Sequence, residues 1–164
     1  MLQSEAYTHQ QWVIAVNLSA LLGWLGYVCF FCTRFDTGFL MMVALFGLPI
    51  AFVTSWLIGA PILRRAMKNS ISWRGAALGG GAAAGIMIGF SIVIGRLLGW
   101  MQSLDDSHFS QIGGGDYVQS IDGILTPYGW TLLAISSVQF IAMGVLVGLA
   151  LRALIGPGKP RTSV

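Results

Sequence analysis

The chain has 164 residues, of which 55% are hydrophobic and only 9% charged, with a mean hydropathy of +0.76. Soluble domains carry about 25% charged residues, so this chain lacks the charge to solvate a closed surface. That excludes a soluble enzyme, a disordered chain and a nucleic-acid-binding domain, and predicts a single all-α integral membrane domain.

Four stretches are long and apolar enough to cross a bilayer core of about 30 Å, which takes about 20 helical residues. The first, 12–31, contains no charge. It exceeds a signal-peptide core and no basic segment precedes it, so it is expected to be an uncleaved anchor. The second, 39–63, opens behind Asp36 and Thr37, which suit a helix cap. Pro49, ten residues in, is expected to bend this helix, and Pro61, near its exit, to end it. The third, 75–100, opens behind Ser72 and holds Arg96 near its end. The fourth, 129–151, opens behind Thr126 and Pro127, a cap and first-turn pair. Trp12, Trp73, Trp100, Tyr128 and Trp130 fall at span ends, where amphipathic rings favour the membrane interface. Backbone groups in lipid must be satisfied internally, and strand alternation is absent, so the spans predict a four-helix bundle rather than a barrel.

Charge distribution orients the spans. A basic hairpin, 64–74, carries Arg64, Arg65, Lys68 and Arg74, and the segment after the fourth span adds Arg152, Lys159 and Arg161. With four spans, this hairpin and both termini share one side, which holds seven of the nine basic residues and Glu5. The other side holds Arg34 and Arg96 with Asp36, Asp105, Asp106, Asp116 and Asp122. The excess of Lys and Arg predicts cytoplasmic termini in a bacterial inner membrane. The net charge of +3 is a by-product of that asymmetry, not a sign of an acidic partner. Anionic lipid headgroups are the expected contacts of Arg64, Arg65, Lys68 and Arg74, at about 1 kcal/mol each. No convincing internal repeat supports an inverted-repeat transporter.

The third span is rich in small residues, and Ala77, Gly81, Gly85 and Gly89 form a row one helical turn apart. Gly144 and Gly148 repeat the spacing on the fourth span. Such rows let another helix approach closely, either within the bundle or from another protein or copy. No strand precedes these glycines and no Lys-Ser or Lys-Thr follows, which excludes a phosphate-binding loop. Arg96 is the lone formal charge inside a span. It lies one turn before Trp100, so it can snorkel to the headgroups or meet Asp105 or Asp106. The alternative is contact with an anion, a lipid or a partner carboxylate.

The neutral polar residues of the spans include Asn17, Thr54, Ser55, Ser91, Ser136, Ser137 and Gln139, with Gln139 nearest the bilayer centre. Each can bond across helices for about 1 kcal/mol. Ser136 and Gln139 could also line a polar pathway, but no intramembrane Asp, Glu or His accompanies them for ion coupling. His9 and His108 lie on opposite sides and cannot share a haem. No cluster has metal-site spacing and no base serves a hydrolase, so no metal, cofactor or catalytic residue is expected. The external loop, 101–128, carries four Asp and a Gly113-Gly114-Gly115 joint. Its segment 117–125 has near-helical apolar spacing, which predicts a short interfacial helix. The loop either caps the bundle or binds a partner.

Cys29-Phe30-Phe31-Cys32 is a C-x-x-C at the outer end of the first span. With four spans and Arg34 just beyond, it resembles the quinone-coupled disulfide oxidases of bacterial inner membranes. That resemblance implies a second cysteine pair in the other external loop, and 101–128 has none. The intervening phenylalanines point to lipid burial, which lowers thiol reactivity. The leading expectation is therefore a non-catalytic membrane protein acting through helix–helix contacts, as an accessory or assembly subunit or through self-association. A small oligomeric channel or transporter is the alternative, and a thiol oxidoreductase using Cys29 and Cys32 the third.

Overall fold

The computed structural model describes residues 7–31, 37–104 and 109–158. Glu5, Cys32, Arg34, Asp36, Asp105, Asp106, His108, Lys159 and Arg161 lie outside them. The chain is mostly helical, and four helices are long and apolar enough to cross a membrane. The first is α1 (His9–Phe31). The second span, Leu40–Ala66, combines α2 (Thr37–Met42), α3 (Leu48–Thr54) and α4 (Ala60–Ala66). The last two are α5 (Trp73–Gln102) and α6 (Pro127–Ile155).

Helix starts follow from local side-chain chemistry. Thr8 and Gln11 form a reciprocal box. The Gln11 amide donates to Thr8 Oγ1 at 3.2 Å and the Thr8 amide to Gln11 Oε1 at 2.9 Å. That box starts α1 three residues before the apolar run. Ser72 Oγ accepts from the Gly75 amide at 3.0 Å and caps α5. Thr126 Oγ1 accepts from the Gly129 amide at 3.1 Å and caps α6, with Pro127 in the first turn.

The second span departs from expectation. Two π-helical turns, Val43–Gly47 and Ser55–Gly59, interrupt it, and each ends two residues before a proline. Pro61 does not end the helix, which continues to Ala66 with Arg64 and Arg65 in its last turn. A proline has no N–H and crowds the carbonyl four residues earlier. A wide turn placed just upstream accommodates both defects, so the helix runs on. Cations at its end also oppose the helix dipole favourably.

Residue contacts divide the chain into two compact units, Met1–Ala83 with Ala142–Val164, and Ala84–Ile141. In the first unit, α1 is tied to the second span by polar bonds along its length. Trp12 Nε1 donates to the Ala60 carbonyl at 3.3 Å, and Trp56 Nε1 to Asn17 Oδ1 at 3.1 Å. The Ser19 and Ser55 hydroxyls lie 3.5 Å apart. Trp24 Nε1 donates to the Val43 carbonyl at 3.3 Å, its indole seated against Gly47 in the first wide turn. One end of this unit is knitted together by Tyr7, Ala15 and Met67, with Trp12, Leu63, Ile71 and Ile155 packed around them. There Tyr7 Oη donates to the Gly156 carbonyl at 3.0 Å and Arg152 Nε to the Ile71 carbonyl at 2.6 Å. The start of α1, the basic hairpin and the end of α6 therefore meet at one end.

In the second unit, a three-stranded antiparallel sheet of very short strands joins α5 to α6. The strands are β1 (Gln111–Ile112), β2 (Ser120–Ile121) and β3 (Ile124–Leu125), in that order. Ile112 pairs with Ser120, and Ile121 with Ile124. The expected interfacial helix over 117–125 is not formed. Asp122 and Gly123 have φ of 44° and 77°, the left-handed pair that a two-residue hairpin requires. That turn chemistry overrides the apolar spacing.

Candidate functional site

Three groups of residues could carry function: the small-residue rows of α5 and α6, the polar side chains of the spans, and the basic end of the first unit. The backbones of α5 and α6 approach closely at their glycines. A Cβ added at Gly80 would overlap the Gly144 carbonyl oxygen and stand 3.1 Å from Gly148 Cα. One added at Gly148 would overlap the Ala76 carbonyl oxygen. Gly144 and Gly148 thus serve packing within the chain, and their counterparts on α5 are Ala76 and Gly80. Ala76 is buried.

The row singled out in the sequence is displaced from this contact by one residue. Ala77 and Gly81 are half-buried, and at Gly85 and Gly89 an added Cβ would meet nothing. Consecutive small residues such as Gly79-Gly80-Gly81 place two candidate rows side by side, and spacing does not choose between them. The facing helix does. What remains is an open stretch of α5 at Gly85 and Gly89, flanked by exposed Ile86 and Phe90.

The polar residues also separate. Asn17 and Ser55 face the α1 contacts described above, and Thr54 and Ser137 bond back to the carbonyls of Ile50 and Leu133, at 2.8 and 2.7 Å. Ser136 and Gln139 are exposed on α6, one turn apart. Among the described residues nothing hydrogen-bonds the Gln139 amide. Gln139 lies about 18 Å into a helix about 44 Å long, at a depth where hydrocarbon, not water, surrounds a membrane span. An amide there offers both a donor and an acceptor with no solvent to take them.

Arg96 is half-buried and holds the sheet. Its Nη1 donates to the Gly123 carbonyl at 3.4 Å, and its guanidinium lies 6.0 Å from the Trp130 ring centroid. Gly99 and Gly123 meet backbone to backbone beside it, so a Cβ on either would overlap the other's carbonyl oxygen. Asp122 Oδ1 accepts from the Ser110 amide at 2.8 Å, and Thr126 Oγ1 donates to the Val118 carbonyl at 2.5 Å. The sheet is thus fastened to the helices on either side of it in sequence. Its signal was present in the chain as Asp122-Gly123 between apolar pairs.

Of the C-x-x-C, Cys29 is a free, exposed thiol and Cys32 lies outside the described residues. Among the described residues, no three His, Cys, Asp or Glu side chains converge. At the basic end, Arg64, Arg65, Lys68 and Arg74 are exposed. Arg152 instead is held by the Ile71 carbonyl and stacks 5.1 Å from the Trp73 ring centroid. Comparison with protein-family models, curated proteins and solved structures finds no match. Function has to be read from the residues themselves.

Proposed function

We propose that this chain is a non-catalytic membrane protein that works through helix–helix contacts, as an accessory or assembly subunit of a larger inner-membrane complex. In this reading four spans form a bundle with both termini cytoplasmic, following the Lys and Arg asymmetry. The observation that carries the proposal is the exposed amide of Gln139 within an apolar helix, which no described residue hydrogen-bonds. Leaving such a group in hydrocarbon costs several kcal/mol, whereas a neighbouring helix that bonds it recovers about 1–2 kcal/mol. The open Gly85 and Gly89 positions supply a surface where a partner helix meets backbone rather than side chains.

A photo-crosslinker at exposed Val138, expressed at native level, tests the reading. A discrete adduct is expected, and Gln139→Leu weakens it about 5- to 30-fold, the equivalent of 1–2 kcal/mol. An adduct at twice the chain mass identifies self-association, and a different mass identifies a distinct subunit. A chain that stays monomeric in mild detergent, gives no adduct and recovers no stable partner sinks the proposal.

A further inference from the structure

A groove of about 360 Å³ runs along the second span, lined by Leu57, Ile58, Pro61, Ile62 and Arg65. These residues recur over two turns, so the groove follows the helix for about 12 Å. It starts inside the wide turn Ser55–Gly59, which places Leu57 and Ile58 ahead of Pro61. It ends at a guanidinium in the last turn of α4. Leu57 and Pro61 are exposed, while Ile58 and Ile62 are half-buried. The lining is thus apolar along its length and cationic at one end.

Among the described residues of the first unit, the charge at that end has no acidic partner. The described residues of the first unit include Arg64, Arg65, Lys68, Arg74 and Arg152 and no Asp or Glu. Arg152 is engaged by the Ile71 carbonyl and the Trp73 ring. Arg65 makes no hydrogen bond to a described residue. Trp12, whose indole bonds the Ala60 carbonyl, and Tyr7 lie at the same end of the unit, as interfacial aromatics do. A guanidinium at one end of an apolar groove, on a helix long and apolar enough to cross a membrane, complements a molecule with an anionic head and an alkyl tail.

We propose that this groove binds one anionic phospholipid, with the phosphate at Arg65 and an acyl chain along Ile62, Pro61, Ile58 and Leu57. The guanidinium pairs with the phosphate oxygens and the tail covers apolar surface that the chain itself leaves open. Diffuse attraction to a basic surface would treat every exposed cation alike. A groove site singles out Arg65 and requires a tail.

Native mass spectrometry of the full chain in mild detergent tests this with phosphatidylglycerol and phosphatidylcholine of identical acyl chains. One phosphatidylglycerol is expected to be retained in preference to phosphatidylcholine. Arg65→Gln lowers its affinity about fivefold, the equivalent of about 1 kcal/mol per basic residue near a membrane surface, while Arg74→Gln changes it less than twofold. Ile62→Trp fills the groove and weakens both lipids, with far-UV circular dichroism verifying that helix content is kept. Inorganic phosphate at millimolar concentration leaves the bound lipid in place. Equal losses from Arg65→Gln and Arg74→Gln, equal retention of the two lipids, or displacement by inorganic phosphate would each overturn the proposal.

Discussion

Replacing Gly80 by Ala puts one methyl group at the tightest point between α5 and α6. The new Cβ would overlap the Gly144 carbonyl oxygen and lie 3.0 Å from Gly144 C and 3.1 Å from Gly148 Cα. All three atoms are backbone, so no rotamer change relieves them and the helices must part. A separation of about 0.5–1 Å forfeits a quarter to a half of each dispersion contact along the seam, and overpacking of this kind costs about 1–3 kcal/mol. Gly→Ala within a helix also gains up to about 1 kcal/mol in propensity, which partly masks the loss. Gly85→Ala supplies the reference, because its Cβ meets nothing and the propensity gain is shared. Subtracting the two isolates the steric term. Unfolding by a denaturing detergent in mixed micelles, followed by far-UV circular dichroism, should therefore separate the variants by about 1–3 kcal/mol, with Gly85→Ala the more stable. Gly148→Ala should behave like Gly80→Ala, and the double variant should cost less than the sum, since one helix shift relieves both. If Gly80→Ala and Gly85→Ala unfold together, the packed row is not the one containing Gly80.

The Asn17–Trp56 bond predicts a coupling of about 0.6–1.7 kcal/mol in a double-mutant cycle of Asn17→Leu and Trp56→Phe. Additive single effects would remove this bond from the α1 contacts. Gly123→Ala forces a left-handed φ on a residue with a Cβ and drives that Cβ into Gly99, at a local cost of about 1–3 kcal/mol. Faster hydrogen exchange across 111–125, with α1 unchanged, is the expected signature, and unchanged exchange in the sheet would contradict it. Asp122→Asn should leave the same turn intact, because Asn tolerates that backbone region, whereas Asp122→Val should not.

The number, length and order of the four apolar helices are legible in the sequence, because hydropathy integrates over some twenty residues and no neighbour is needed to see it. Their caps are legible too, since Ser72 and Thr126 bond amides three residues away. Two further local signals stand in the chain: Thr8-x-x-Gln11 at the start of α1, and Asp122-Gly123 at a hairpin. What only the tertiary structure decided is phase and pairing. Two rows of small residues run along α5 one residue apart, and the partner glycines on α6 select Gly80 while leaving Gly85 and Gly89 open. Ser55 and Gln139 have the same polar claim in the sequence, yet one meets Ser19 and the other faces outwards. Pro61 does not end its span because a wide turn upstream accommodates the missing N–H. Each of these outcomes depends on which side of a helix another helix occupies, and in an apolar chain nearly every side is eligible.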